Sequence, residues 1–390
     1  MRYLLLFLFP LSCLAHEVGK SPVLTHAVAK IADCTTGWRK YSAEDQKEGA
    51  YPETHVTYYR YVFKVPAGKK ISIKVEGEYP AGRYAGFNLY DTKRMDSYAG
   101  LADFEMEPDA GSVNPFKENA EGKKNYTVWA EPKEKTSGPN RLVMKEGDVG
   151  KERTYELWYR IYEPEDGHLG KVNLPRLTAV DPETGAQIEC PALAYKPVSK
   201  GNPGATLSNV LPGPGEDSVV NFYHRTGSGL YANRDTQYLA ARIGQSLDEP
   251  LVTVLRFKPP TTPLVSKDKF DVRYWSLCLG GTIYSITYSC LSDRDAKVDK
   301  DGYVTLVIGP KEAKAKVGDG NFLQSPQTSF IVIYRNLLAK KDFKGNFKEL
   351  PTWPNPDLED PRNELKASKF IGDYSPTGKA YKLSEYLAGK

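Results

Sequence analysis

Cysteine, methionine and histidine are scarce, with 5, 4 and 5 residues in a chain of 390. No Cys-x-x-Cys or His-x-x-x-His spacing occurs, which argues against a dithiol redox centre or a zinc site. Gly-x-Ser-x-Gly is absent, and Gly227-Ser-Gly229 beside His224 lacks the strand–elbow–helix setting of a hydrolase. The glycines between Gly201 and Gly215 are broken by prolines and lead into no helix, so they do not read as a phosphate loop. Beyond the N-terminus no apolar run approaches the roughly 18 residues of a membrane-spanning helix. The 53 basic and 49 acidic residues are interspersed, which speaks against a nucleic-acid partner. Helical periodicity is also rare, with Leu24 to Ala32 and Leu383 to Leu387 the best short stretches.

What is abundant is Tyr (26), Pro (28) and Gly (33), a strand-and-turn composition. Residues 1–15 give one positive charge, an apolar run and a small residue at Ala15, the order of a short secretory signal. Cleavage there makes His16 the mature terminus. The alternative is a lipid anchor on Cys13, within a loose Leu-Ser-Cys pattern. Either reading places the mature protein in the periplasm or outside the cell.

The chain matches itself. Arg83-Tyr84 recurs as Arg273-Tyr274, and Leu89, Leu101, Asp103, Glu105 and Asp109 recur without a gap as Leu279, Leu291, Asp293, Asp295 and Asp299. Tyr126 to Glu134 matches Val304 to Glu312, and Trp158-Tyr-Arg160 matches Ile333-Tyr-Arg335. Upstream, Ile71 to Val75 aligns with Leu251 to Leu255. The pattern predicts two copies of one module, at 55–165 and 235–337. They are preceded by a 16–54 segment, joined by a Gly/Pro-rich bridge over 166–234 and followed by an extended 338–390 arm. Short aromatic and β-branched runs separated by Gly and Pro predict an all-β fold of two tandem antiparallel sandwiches or jelly rolls.

Four cysteines remain after the leader. Cys278 and Cys290 fall opposite Asn88 and Gly100 of the first copy, so the pair is particular to the second copy, as a bonded pair would be. Cys34–Cys190 follows by elimination.

The stretches Arg273-Tyr-Trp-Ser-Leu-Cys278, Cys290-Leu-Ser-Asp293, Asp301-Gly-Tyr303, Ala232 to Leu239 and Leu251 to Pro260 resemble bacterial envelope and secreted proteins of unknown function. The resemblance covers mainly 230–337 and implies tandem β-sandwiches. It implies no activity and no catalytic residues.

Several residues are candidates for chemistry. Alternation along Leu101 to Glu107 predicts a strand with Asp103, Glu105 and Glu107 on one face, able to hold Ca²⁺ or act as acid and base. Asp293 and Asp295 are their counterparts. The bland alternative is a solvated acidic face. Arg83 and Arg273 sit in aromatic, strand-like runs and need partners, which predicts Arg83–Asp103 and Arg273–Asp293 pairs inside each module. An amino-terminal His16 could chelate Cu(II) with His26, His55 or His224, as in histidine-brace oxygenases. Trp275 and the many tyrosines can stack on sugars or fill cores. The favoured expectation is an exported, non-catalytic binding or structural protein without cofactor. Its ligand would be a glycan or envelope component in the inter-module groove. The alternatives are a copper oxygenase through His16 and a carboxylate hydrolase through Asp103 and Glu105.

Overall fold

The computed structural model describes residues 33–41, 49–92, 95–118, 121–133, 138–144, 151–193, 211–212, 218–225, 230–246 and 248–389. The leader, Cys13, His16 and His26 lie outside the described residues.

Strands, numbered in chain order, form four sheets. The first contains β1 (Arg39–Tyr41), β2 (Val56–Val65), β4 (Tyr84–Asp91), β5 (Ser97–Ala102) and β8 (Arg153–Tyr162), ordered β1-β2-β8-β4-β5. The second contains β3 (Ser72–Glu78), β6 (Asn125–Pro132), β7 (Arg141–Met144) and β9 (Arg176–Val180), ordered β7-β6-β3-β9. The third contains β11 (Tyr223–Arg225), β12 (Thr236–Ile243), β14 (Tyr274–Gly281), β15 (Thr287–Ser292) and β18 (Phe330–Leu337), ordered β11-β12-β18-β14-β15. The fourth contains β10 (Val219–Val220), β13 (Leu251–Phe257), β16 (Val304–Gly309), β17 (Asn321–Gln324) and β19 (Thr377–Lys382), ordered β10-β19-β13-β16-β17. The ladders are antiparallel except β6–β7 and β16–β17, which are parallel.

The first and second sheets close over Phe63, Ile73, Phe87, Val128, Leu157 and Ile161, all fully buried. The third and fourth close over a similar core that includes Leu239, Leu255, Leu277, Leu306 and Val332. Each such side chain contributes roughly 1.5–3 kcal/mol on leaving water. Period-two alternation decides what the opposite faces carry. On β8, Leu157, Tyr159 and Ile161 enter the first core, while Trp158 and Tyr162 join a separate cluster with Tyr58, Tyr84, Tyr274 and Leu337. The first and third sheets thus face one another across a seam, and every residue of β14 and β18 is buried.

The strand order of the first half reappears in the second. β4 and β14 begin at Tyr84 and Tyr274, β5 and β15 at Ser97 and Thr287, and the irregularity at Leu89/Tyr90 has its counterpart at Leu279/Gly280. The sheets reach beyond the expected module limits. β9, from the 166–234 bridge, pairs with β3. β19, from the C-terminal arm, pairs with both β10 and β13. Phe347, Ala367 and Ile371 of that arm are buried in the second core. The sequence of the arm hides this because its apolar anchors are dispersed among prolines (Pro351, Pro354, Pro356, Pro361 and Pro376) and charges.

Disulfides join Cys34 to Cys190 and Cys278 to Cys290. No helix among the described residues is long and apolar enough to cross a membrane.

Candidate functional site

The acidic run does not continue as a strand. β5 stops at Ala102 and Asp103–Glu105 form a 3-10 turn, so Asp103, Glu105 and Glu107 share no face. The Asp103 carboxylate sets that turn, accepting from the Ala85 N–H at 2.8 Å and the Phe104 N–H at 2.6 Å. Asp103 is fully buried, Glu105 is bound to Arg234, and Lys117 reaches Glu107 at 2.6 Å.

The two arginines exchange partners. Arg83 Nη1 lies 2.7 Å from Asp293, and Arg273 Nη1 lies 2.5 Å from Asp103. Arg83 also donates to the Arg273 carbonyl at 3.1 Å, so the two corners touch. The within-module pairs expected from the repeat are therefore replaced by pairs across the seam. The reason is geometric: the positions just before β4 and β14 face each other, and each arginine reaches the aspartate that follows the other half's hairpin.

Of the two roles open to Trp275, stacking on a sugar or filling a core, it takes the second. It is buried in the second core against Phe257 and Tyr334 and offers no surface to a sugar. Asp295 is exposed, bonded to His55 at 3.0 Å and to Ser292 at 3.1 Å. The proposed ligand set of Asp103, Glu105, Asp293, Asp295 and Trp275 does not converge. Among the described residues, three donors approach closely at Glu53, Cys278 and Cys290, but the two sulfurs are bonded to each other. His55 has both ring nitrogens engaged, and His224 binds the Leu350 carbonyl through Nδ1 at 2.9 Å. His55 therefore offers no open ring nitrogen to a copper ion.

What the fold does assemble is a cavity of about 80 Å³ in the seam. Tyr41, Tyr58, Trp158 and Tyr231 form much of its wall, and Arg160, Arg225 and Arg335 supply its charge. Arg160 on β8 is 2% exposed and donates to Asn88 Oδ1 at 2.6 Å and to the Tyr231 carbonyl at 2.7 Å. Its guanidinium lies 5.0 Å from the Trp158 ring, 5.4 Å from Tyr90 and 5.7 Å from Tyr58. Contacts of this kind stabilise a cation by about 0.5–2 kcal/mol each. Arg335, its counterpart on β18, donates to the Tyr51 carbonyl at 2.8 Å and stands 3.8 Å from Glu53.

Glu53 heads a chain of polar contacts that crosses the seam. Ser276 donates to Oε2 and His55 Nδ1 lies 3.2 Å from Oε1, with Asp295 beyond His55. Burial alone would push the Glu53 carboxyl up, but His55, Arg335 and Ser276 outweigh it and hold it below the usual carboxylate range. For His55, burial works against the charge, yet the bond to Glu53 and the charges of Glu53, Glu163 and Asp295 push its pKa up to about 9.

Sequence reasoning aligned Arg160 with Arg335 but gave neither a role. The signal was present: each interrupts a strand of largely apolar and aromatic residues, where an arginine has to be satisfied.

No family model and no curated protein matches this chain. It is similar in structure to an uncharacterised protein from Burkholderia cenocepacia, with a TM-score of 0.52 and 12% identity over 91% of this chain and 84% of that one. A protein from Vibrio parahaemolyticus aligns with a TM-score of 0.41 and 14% identity, over 77% of this chain and 91% of that one. The first likeness concerns the fold alone.

Proposed function

We propose that this is an exported, non-catalytic binding protein that takes its ligand, a glycan or another envelope component, into the seam between the two sandwiches. The observation that carries the reading is the seam cavity, where aromatic walls and arginine donors converge from both halves. The two disulfides support an oxidising compartment. The repeated strand order supports reading the sandwiches as copies of one module. A hydrolase built on Asp103 and Glu105 is disfavoured, since Arg273 and Arg234 already hold those carboxylates.

The test is to fill the cavity. Ala240 on β12 lines it and is 1% exposed. Ligands found by thermal-shift screening of the full chain against glycans and small envelope metabolites should lose binding in Ala240→Phe, with the circular dichroism spectrum unchanged. A ligand held equally by both proteins would place binding elsewhere, and turnover of any of them would overturn the non-catalytic reading.

A further inference from the structure

The seam contains several buried arginines, and they are not alike. Arg60 meets Glu156 at 2.5 Å, Arg83 meets Asp293 and Arg273 meets Asp103. Arg160 is as deeply buried, yet among the described residues it has only the neutral acceptors Asn88 and the Tyr231 carbonyl. A guanidinium without a counter-charge in a low-dielectric site is unfavourable by several kcal/mol. Two further donors around the same cavity are left open. Arg335 Nη1 is buried with no hydrogen-bond acceptor, its facing carboxylate being Glu53 Oε2 at an ion-pair distance of 3.8 Å, and Arg225 Nε is buried with no acceptor either. The charge balance agrees: three guanidinium groups line the cavity, no described lining residue is acidic, and Glu53 alone stands near Arg335 while also holding His55.

We infer that the seam cavity is completed by a small organic carboxylate, whose anionic group is taken by the open donors of Arg335 and Arg225 in the field of Arg160. This deepens the binding reading above and rests on it. Guanidinium forks match a planar carboxylate. The Tyr58, Trp158 and Tyr231 rings supply flat apolar surface for the remainder of the molecule, and 80 Å³ sets its size as small.

The probes are propionate, its neutral counterpart propionamide, and inorganic phosphate, titrated calorimetrically into the full chain. Propionate should bind at least tenfold more tightly than propionamide or phosphate, and its affinity should fall as salt rises. Arg335→Met should weaken propionate at least tenfold. Because that change touches a buried residue, half-buried Arg225→Gln serves as the second variant and should weaken it several-fold while the melting temperature stays close to wild type. No propionate binding, equal binding of propionamide, or tighter binding of phosphate overturns the inference. The broader reading fails separately: it falls if the screened ligands bind Ala240→Phe as they bind the wild type.

Discussion

The interiors of the sandwiches and the seam between them are both buried, yet they are built on different principles. Leu277, Leu306 and Val332 meet in the second core by shape alone. Across the seam, Arg83 finds Asp293, Arg273 finds Asp103, and Tyr84 donates to Asp235 at 2.7 Å. Aliphatic packing is non-directional and tolerates repacking, whereas a buried ion pair adds little net stability but is severely penalised when one partner is missing. The cores therefore hold each sandwich together, and the seam fixes how one sits on the other. The same region also keeps Arg160 without a counter-charge, so it is where a ligand can be accommodated.

The sharpest way to break this comparison is to orphan one charge. Arg273→Met leaves the Asp103 carboxylate buried and unpaired and should cost about 4 kcal/mol in denaturant unfolding. Adding Asp103→Asn, which removes the charge and keeps an oxygen for the backbone N–H groups of the turn, should restore part of that loss, while adding Asp293→Asn to Arg273→Met should not. Coupling of Arg273 to Asp293 in that cycle would restore the within-module pairing. A core deletion should be smaller and of another kind. Leu277→Ala should cost about 3 kcal/mol, and the loss should not vary with salt. The smallest effect is a pH dependence confined to the seam. His55 is raised from its ordinary 6.5 to about 9, so its contribution is complete below 6.5, declines as pH rises and is gone above 9. Glu53 is lowered from 4.5, so its contribution is present above that value and lost as pH falls. Unfolding free energy should thus be greatest between 4.5 and 6.5, and His55→Gln should flatten the decline on the alkaline side. An unchanged alkaline decline in that variant would remove His55 from the account.

The strands were legible because they are short aromatic and β-branched runs set apart by Gly and Pro, as Tyr155 to Tyr162 and Val56 to Val65 are. The register also located the second disulfide. Cys278 and Cys290 stand directly opposite in the β14–β15 ladder, as Asn88 and Gly100 do in β4–β5. The exchange of partners was hidden for a reason inherent in a repeat. When Arg83 corresponds to Arg273 and Asp103 to Asp293, pairing within halves and pairing between halves use the same four residues, and only the placement of the halves distinguishes them. The acidic strand was misread because alternation cannot register that Asp103 accepts two backbone N–H groups and ends the strand. Tyr231 escaped notice because it lies outside the strands. It donates to Glu156 at 2.8 Å and stacks on Trp158 at 4.6 Å, contacts that no local pattern encodes.

The position of β19 bears on the order of events during folding. It is an interior strand of the fourth sheet, between β10 and β13, although more than a hundred residues separate it from β13 in the chain. Until residues 377–382 are in place, β13 presents a bare backbone edge of the kind that recruits other chains. Closing so distant a contact is slow. A polypeptide that emerges from its N-terminus can complete the first sandwich early, whereas the second stays open, and vulnerable to aggregation, until that late strand docks.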